Sequence, residues 1–449
     1  MNTPTTIVAP ATPHGVGGIA VVRISGPASY KIVQHLSGVA LNIRYATYIN
    51  INDLSGNCID RGIAIFYKKP GSYTGEDVVE ISCHGNPVIV QHIVDICCEL
   101  GATLAEPGEF TRRAFINGKL DLVQAESVGA LIQSQSAESA SLNLRLLEGD
   151  LSKIFAQIKH VLLQSLSSVE FELDVSEEAL QPNLQKDLFQ NVLLLVDGLS
   201  TLLDSYQRGK LLTQGAKVVI VGSPNVGKST LLNRLVGFDR AITSAEPGTT
   251  RDPVDVNLTI GGVSVSLIDT AGLRSATGEI EKEGVSRTLQ YAKSADCIIE
   301  MYEARETNKE VLSFALPDSI PRIHVFNKTD LLESHKIIAL RKTHKNTCFI
   351  SALSGKGLDE LESKIKDTLG LNRALSSDVA LTTARQKDSA KNALASINNA
   401  LGLLSQSTLE LELISFELHE ALQSIDRILG KTTPDDILNN IFGAFCVGK

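Results

Sequence analysis

One loop of eight residues constrains this chain more than any other feature. The segment Gly222–Ser229 (GSPNVGKS) follows a β-type run, KVVIV, and leads into the helical stretch STLLNRLVG. The pattern G-x-x-x-x-G-K-S lets backbone N–H groups turn inward around phosphate oxygens at a helix N-terminus. Lys228 can then neutralise the β- and γ-phosphate charge, and the Ser229 hydroxyl can ligate Mg²⁺. The loop predicts a nucleoside triphosphate site within an α/β domain.

Three further motifs follow this loop in an order that selects guanine nucleotides. The sequence DTAG (269–272) ends a β-type run, where the Asp269 carboxylate can hold the Mg²⁺ shell. The sequence NKTD (327–330) follows the run IHVF, and its last carboxylate can accept hydrogen bonds from both N1–H and NH₂ of guanine, a donor pair that adenine lacks. The sequence SAL (351–353) can place a backbone N–H on the base oxygen. Ordinary turns and caps would have to produce all of these in order, so the sequence predicts a GTP site.

The α/β segment resembles the translation-factor class of P-loop GTPases. In that class GTTRD (248–252) is the first switch, whose second threonine closes over Mg²⁺, so Thr250 would join Ser229 as a Mg²⁺ ligand. The predicted GTP-binding residues are Asn225, Val226, Gly227, Lys228, Ser229, Thr230, Ser244, Ala245, Glu246, Pro247, Gly248, Thr249, Thr250, Asp269, Thr270, Ala271, Gly272, Asn327, Lys328, Asp330, Ser351, Ala352 and Leu353.

The group that orients the attacking water is less obvious from the motifs. Leu273 follows DTAG, where Ras-like enzymes carry a glutamine. Glu279, Glu281 and Glu283 alternate shortly afterwards, and any one of them could act on the water or be a solvated surface charge. No arginine finger is evident. Asn225, however, offers a neutral oxygen beside the phosphates, which suits a monovalent cation in the place of that finger.

The segments around the nucleotide motifs differ in their apolar patterns. Residues 1–118 mix short β-type runs with helical pieces, which predicts an α+β domain. One helical piece, 87–101, starts with Pro and ends with Gly, as helices often do. Residues 211–371 alternate β-type runs with helical stretches, which predicts a mainly parallel sheet; the runs include KVVIV (217–221), VSVSLID (263–269), CIIEMY (297–302), IHVF (323–326) and CFIS (348–351). In 119–210 and 372–449 apolar residues recur every three to five positions, as in amphipathic helices. The stripe predicted in the first of these segments is Leu147, Leu151, Ile154, Ile158, Val161 and Leu166. The prediction is a multidomain chain with an α+β N-terminal domain, a discontinuous helical domain and an α/β P-loop GTPase domain inserted into it.

Composition narrows the class of protein further. The length of 449 residues suits about three domains. A net charge of −9 disfavours a chain that holds nucleic acid alone by bulk electrostatics. The seven cysteines are scattered without a C-x-x-C pair, which favours reduced thiols over disulfides or zinc. No apolar run is long enough for a membrane span and the N-terminus has no targeting pattern, so the expected location is cytoplasmic.

Nearly the whole chain resembles the MnmE (TrmE) family of tRNA modification GTPases. The resemblance is carried by ATPHGVGGIAVVRISG, SYTGEDVVEISCHGN, PGEFTRRAFINGKLDLVQAE, GTTRD, DTAGLR and the C-terminal FCVGK. It implies a K⁺-stimulated GTPase that adds an aminomethyl or carboxymethylaminomethyl group to C5 of the wobble uridine, position 34, of certain tRNAs. The one-carbon unit would come from 5,10-methylenetetrahydrofolate, of which 5-formyltetrahydrofolate is an analogue.

The resemblance also implies partners for this chain. It implies a homodimer, with the N-terminal domain as the dimerisation domain, and an MnmG-type protein that carries FAD. The two proteins would form a heterotetramer or a larger complex and would share the tRNA between them.

The resemblance further assigns roles to individual residues. Glu281 would be the general base, acting through a bridging water. The implied K⁺ ligands are Asn225, Ser244, Glu246 and Thr249, and the implied folate-binding residues are Arg23, Glu80, Lys119 and Lys449. Carboxylates suit pterin N–H donors and cations suit the glutamate tail of folate, although each of these four residues could also be a surface charge.

Cys446 has two interpretations. The resemblance implies a cysteine needed for the modification, whereas the residues alone are equally compatible with a helix-end cysteine packed against Phe442 and Phe445.

The alternative function is a regulatory or assembly GTPase whose flanking domains only bind proteins. Four residues distinguish the two functions, because only the first function requires them to act on small molecules or tRNA: Arg23, Glu80, Lys119 and Cys446.

Overall fold

A computed structural model describes residues 5–174, 184–236, 255–269, 291–305, 319–344, 346–372, 379–406, 408–432 and 434–449. Its contacts divide the chain into two compact units, each built from separate segments. Unit 1 comprises Met1–Ile132, Leu146–Leu195 and Asn392–Lys449, and unit 2 comprises Gln133–Arg145 and Val196–Lys391. The finer boundaries predicted after residues 118, 210 and 371 stay predictions.

Unit 1 contains a six-stranded sheet with the order β3-β4-β5-β2-β1-β6. Its strands are β1 (Ile7–Pro10), β2 (Gly17–Ser25), β3 (Thr47–Asn52), β4 (Cys58–Tyr67), β5 (Val78–Gly85) and β6 (Thr103–Leu104). All neighbouring pairs are antiparallel except β1 and β6, which are parallel. The N-terminal prediction of an α+β domain is therefore confirmed.

Helices α1 (Ser29–Ser37) and α2 (Pro87–Glu99) share an apolar core with this sheet. Val22 of β2 lies opposite Ile81 of β5, and both side chains are fully buried. Burial of such a side chain contributes about 2 kcal/mol. The predicted start of α2 at a proline is confirmed, because the Asn86 side chain caps the helix by accepting the Val88 N–H at 2.9 Å.

The helical part of unit 1 surrounds two long helices that pack on each other. Its helices are α3 (Glu109–Ile116), α4 (Leu122–Ile132), α6 (Asp150–Asp174), α12 (Leu411–Leu429) and α13 (Asp435–Gly443). A salt bridge joins Lys159 Nζ of α6 to Asp426 Oδ1 of α12 at 2.5 Å. The apolar stripe predicted along α6 is partly wrong: Ile154 and Val161 are only half-buried, and Phe155 and Leu162 take the fully buried positions.

Unit 2 contains a second six-stranded sheet, with the order β12-β11-β10-β7-β9-β8. Its strands are β7 (Ala216–Gly222), β8 (Asp255–Ile260), β9 (Val263–Asp269), β10 (Cys297–Glu303), β11 (Arg322–Asn327) and β12 (Thr347–Phe349). Among these described strands, β8 and β9 pair antiparallel and the other pairs are parallel. This confirms the predicted α/β domain with a mainly parallel sheet, in which every predicted β-type run contains a strand.

The helices of unit 2 include α8 (Lys228–Val236), α9 (Ser334–Thr343) and α10 (Leu358–Thr368). The division between the units falls within α7 (Leu184–Gln214) and α11 (Ala384–Leu404). Most of α5 (Ala137–Leu147) also belongs to unit 2, because the segment before it contacts the β8–β9 hairpin. The Ser136 hydroxyl donates to the Gly262 carbonyl at 2.7 Å, and the Ser264 hydroxyl donates to Gln135 Oε1 at 2.7 Å.

Candidate functional site

The loop Gly222–Ser229 joins β7 to α8 at the carboxyl edge of the parallel sheet of unit 2. Gly227 has φ 97°, and a Cβ there would lie 2.3 Å from Asn327 Nδ2, so only glycine fits. The Lys228 ammonium is buried and donates to the carbonyls of Gly222 and Ser223, both at 2.9 Å. These bonds hold the lysine head over the loop, where phosphate oxygens would enter.

Helix α8 presents the first-turn amides at its N-terminus to the same loop. The helix begins at Lys228, and at its start the Leu231 N–H donates a hydrogen bond to the Gly227 carbonyl at 2.9 Å. The side chains of Ser229 and Thr230 are exposed in this turn. The amides and the helix dipole together favour an anion at this end of the helix.

Asn327 is a buried brace between the phosphate loop and the base-binding segments. Its Nδ2 donates to the Val226 carbonyl at 2.8 Å, and its Oδ1 accepts the Ala352 N–H at 2.9 Å. The side chain is 2% exposed, so both hydrogen bonds are shielded from water. The structure thus brings together three of the motifs that the sequence predicted to share one site.

The turn after Asn327 carries the residues predicted to bind the guanine base. Lys328 adopts the left-handed conformation, with φ 63°, and a 3₁₀ turn spans Thr329–Leu331. Asp330 is exposed on this turn, where its carboxylate can accept hydrogen bonds from a base edge. The Lys328 ammonium pairs with Glu303 Oε2 at 2.7 Å. Sequence reasoning did not single out Glu303, although an acid at the end of β10 was visible.

Several predicted site residues lie outside the described part of unit 2. Asp269 ends β9, with its Cα opposite Ile220 of β7, which places its backbone at the carboxyl edge of the sheet near the phosphate loop. The predicted residues outside the described ranges are Ser244, Ala245, Glu246, Pro247, Gly248, Thr249, Thr250, Thr270, Ala271, Gly272 and Glu281.

A second cluster lies in unit 1, around the ion pair of Arg23 and Glu80. These residues face each other on β2 and β5, and Arg23 Nε and Nη2 both lie 2.8 Å from Glu80 Oε1. The guanidinium also lies over the rings of Tyr73, at 5.2 Å, and Phe110, at 5.6 Å. Two charged groups and two aromatic rings thus form a half-buried cradle. Sequence reasoning missed both rings, although they lie within the quoted SYTGE and PGEF segments.

The C-terminal turn docks against this cradle. Arg23 Nη1 donates to the Gly448 carbonyl at 3.4 Å. Gly448 is buried with φ 97°, and a Cβ there would lie 2.0 Å from the Pro10 carbonyl oxygen. Burial lowers the pKa of the Lys449 ammonium, and the neighbouring Arg23 guanidinium lowers it further. A cation placed in this way favours an anionic ligand.

Cys446 begins the docked turn and is exposed. Its carbonyl accepts the N–H groups of Lys449, at 3.3 Å, and Gly108, at 3.5 Å. Phe442 and Phe445 pack against each other instead, with ring centroids 5.8 Å apart. Cys446 is therefore exposed on the turn whose Gly448 carbonyl accepts from Arg23, and its role in the modification stays a prediction.

The loop Ser72–Glu76 connects the cradle to Lys119, the remaining predicted residue of this cluster. Lys119 is exposed, and its Cγ lies 3.3 Å from the position that a Cβ on Gly75 would take. The loop is fixed at its end, because Glu76 accepts the Ser25 hydroxyl at 2.7 Å and pairs with Arg113 at 3.1 Å. Lys119 therefore lies beside this loop, and Arg23 contacts both the loop, at Tyr73, and the C-terminal turn, at Gly448.

Three features define a P-loop GTPase: a mainly parallel sheet, a phosphate loop at the start of α8, and a buried Asn327 that ties this loop to the turn predicted to bind guanine. A family model described as the MnmE helical domain matches residues 122–446, and one described as the GTP-binding protein TrmE N-terminus matches residues 6–119. The chain belongs to the MnmE family of tRNA modification GTPases. Its activity is GTP hydrolysis in tRNA modification.

Relatives named tRNA modification GTPase MnmE are similar over their whole length. The protein of Pseudothermotoga lettingae is 39% identical, with 99% of this chain and 100% of the relative covered. That of Methylococcus capsulatus is 38% identical, and that of Chlorobium chlorochromatii is 37% identical, each over 99% of this chain and 98% of the relative.

Within the described residues, no helix is both long and apolar enough to cross a membrane.

Proposed function

We propose that this chain uses GTP hydrolysis to support the addition of an aminomethyl or carboxymethylaminomethyl group to C5 of uridine 34 in certain tRNAs. An MnmG-type partner would supply FAD. The observation that carries the proposal is the Arg23–Glu80 cradle, against which the C-terminal turn holds an exposed Cys446. A GTPase that only regulates assembly would have no need of an exposed cysteine on a turn that docks against this charged cradle.

The cradle fits a folate that carries a one-carbon unit. Glu80 would accept N–H donors of the pterin, and the rings of Tyr73 and Phe110 would limit access of water to Arg23. Lys119 and Lys449 would pair with the glutamate tail. The half-buried Lys449, whose pKa is lowered by burial, supports this because an anionic ligand would stabilise its charged form. The folate would supply the one-carbon unit, and Cys446 would act beside the same cradle.

The GTP site would work through charge placement. The amides of α8 and Lys228 would hold the phosphates, and Asp330 would bind the edge of the guanine base. Ser229 and Thr250 would hold Mg²⁺, with Asp269 in its outer shell. K⁺ would be held by Asn225, Ser244, Glu246 and Thr249, and it would supply the positive charge that an arginine finger supplies elsewhere.

Two features of the chain support these roles. Asn225 has φ 64° and an exposed side chain in the phosphate loop, so its oxygen is open to a cation. Glu281 would orient the attacking water through a second water, because Leu273 cannot make the hydrogen bond of a glutamine.

We propose that the chain forms a homodimer through unit 1. Large apolar side chains are exposed where β2 begins and α2 starts: Val16 is 92% exposed, Ile19 71% and Val88 76%. Tyr48 and Ile63 are a cross-strand pair on β3 and β4, and both are exposed. An exposed apolar surface of this kind is typical of a protein interface. A dimer would also share the tRNA with the partner, since a chain of net charge −9 binds RNA weakly alone.

The folate role is tested by calorimetry with 5-formyltetrahydrofolate. Glu80→Gln should weaken binding by about tenfold or more, because a charged hydrogen bond contributes roughly 1.5–3 kcal/mol. Glu99→Gln, which changes an exposed acid of unit 1, should bind like the unchanged protein. Cys446→Ser should remove the modified uridine from the nucleoside profile of cellular tRNA. If the folate does not bind and Cys446→Ser leaves the profile unchanged, the assembly function is correct instead.

The homodimer is tested by sedimentation over a range of concentrations. Val16→Ser combined with Val88→Ser should shift the protein to monomer. Leu194→Ser changes an exposed leucine on α7, 66% exposed, and should leave the dimer intact. A dimer that survives the double change would place the interface elsewhere.

A further inference from the structure

We infer that Glu303 and Arg305, at the end of β10, are positioning residues for the base-binding turn Lys328–Leu331 and thereby set the affinity for guanine nucleotides. The inference rests on the proposed assignment of Asp330 to the base edge. Neither Glu303 nor Arg305 belongs to the sequence motifs of the nucleotide site.

The backbone brings these two segments together before any side chain acts. Glu303 lies opposite Asn327 in the parallel register of β10 and β11. The next residue, Ala304, donates its N–H to the Asn327 carbonyl at 2.9 Å. The chain leaving β10 therefore runs directly beside the chain that enters the base-binding turn.

Side chains then hold the turn at both of its ends. Glu303 Oε2 pairs with Lys328 Nζ at 2.7 Å, and these side chains are 22% and 30% exposed. The Arg305 guanidinium donates from Nε and Nη2 to the Leu331 carbonyl, at 3.3 Å and 2.9 Å. One short segment thus fixes the first and last residues of the turn.

The position of Lys328 explains what this support achieves. Lys328 adopts the left-handed conformation, which is unfavourable for any residue that has a Cβ. Surrounding contacts must therefore stabilise this backbone conformation. Asp330 lies two residues later and is exposed. If Asp330 binds the edge of the guanine base, the flat face of the base would pack against the Lys328 side chain, which is aliphatic up to its ammonium group. Glu303 binds that ammonium group and so keeps the aliphatic part of the lysine extended across the base.

A purely structural role for the pair predicts a different result. Partly exposed ion pairs contribute little to folding. The register of β11 is already fixed by backbone pairing and by the bonds of Asn327 to Val226 and Ala352. Loss of Glu303 should therefore change nucleotide affinity more than stability.

Two quantities are measured on the full-length chain. The first is the dissociation constant for GTP, GDP and ITP, and the second is the unfolding midpoint without nucleotide. Glu303→Gln should weaken all three nucleotides by about threefold to tenfold, with kcat at saturating GTP and the midpoint unchanged. GTP and ITP should change by the same factor, because ITP lacks only an edge NH₂ group and keeps the face. Glu303→Asp should recover part of the affinity. Arg305→Ala should weaken binding in the same sense.

Two controls define the failure of the inference. Glu333→Gln removes an exposed acid of unit 2 that pairs only peripherally, with His335 at 3.3 Å, and should bind like the unchanged protein. In a Lys328→Met background, Glu303→Gln should have no further effect, because the two residues act through one contact. Affinity within twofold of the unchanged protein, unequal factors for GTP and ITP, or an undiminished effect in the Lys328→Met background overturns the inference.

A separate variant distinguishes this inference from the base site itself. Asp330→Asn should shift preference from GTP to XTP if Asp330 binds the base edge. If that shift occurs and Glu303→Gln has no effect, only the positioning role fails. If the shift does not occur, the assignment of the base site is wrong.

Discussion

Gly448 controls how the C-terminal turn docks on unit 1. Its φ of 97° lies in the left-handed region, and a Cβ would approach the Pro10 carbonyl oxygen to 2.0 Å. That atom belongs to the backbone of β1, so no side-chain rotation can relieve the clash. In Gly448→Ala we therefore expect the turn to leave its dock while the rest of unit 1 stays folded.

The size of the effect follows from the backbone alone. A residue with a Cβ in the left-handed conformation costs about 1–2 kcal/mol, before the clash is counted. At about 1.4 kcal/mol per factor of ten, a penalty of ~2 kcal/mol lowers the ratio of docked to undocked turn roughly 30-fold. Undocking also breaks the contact of Arg23 with the Gly448 carbonyl, so Arg23 and Glu80 lose one side of their cradle.

Hydrogen exchange of the amides near the turn measures docking directly. Peptides that contain Gly108 and residues 444–449 should exchange faster in Gly448→Ala, because the Gly108 N–H loses the Cys446 carbonyl. Affinity for 5-formyltetrahydrofolate should fall, and basal GTPase activity should not change. Gly443→Ala is the matched control, since a Cβ at Gly443 has no atom within 4 Å. Equal exchange and equal folate affinity in the two variants would refute the docking argument.

The remaining predictions concern the GTP site. Glu281→Ala should lower kcat by about 100-fold or more with little change in GTP affinity, because a residue that orients water acts mainly in the transition state; single-turnover and binding measurements separate the two. GTPase rates should be higher in K⁺ than in Na⁺, and Asn225→Ala should abolish that difference; equal rates in both salts would exclude a K⁺ role. Asp330→Asn should weaken GTP by roughly tenfold to 100-fold, since it removes a charged hydrogen-bond acceptor, as nucleotide titration would show.

Local sequence patterns predicted the parts of the fold that depend on short segments. The phosphate loop, the strand before it and the start of α2 at a proline each follow from a few neighbouring residues, and the structure confirms them. The stripe along α6 was harder, because spacings of three to five residues suit two adjacent faces of a helix. Only the packing against α12 decides that Phe155 is buried in place of Ile154.

Contacts between distant segments were beyond the reach of sequence patterns. Glu303 meets Lys328 only because β10 and β11 pair in one register, and Tyr73 lies under Arg23 only because a loop folds back on β2. The grouping of Gln135 with unit 2 depends likewise on a hydrogen bond to the distant hairpin residue Ser264. Resemblance assigned Arg23 and Glu80 to a folate site, and the structure adds that they are paired.

Asn327 has a consequence for how a nucleotide enters its site. One buried amide ties the phosphate loop, through Val226, to the turn at Ala352, so the spacing between the two ends of the site is set before any ligand arrives. A ligand held at one end therefore meets the other end at high effective concentration. Guanosine or pyrophosphate alone gains none of this advantage. The intact nucleotide should bind far more tightly than either fragment, and either fragment should be a weak competitor.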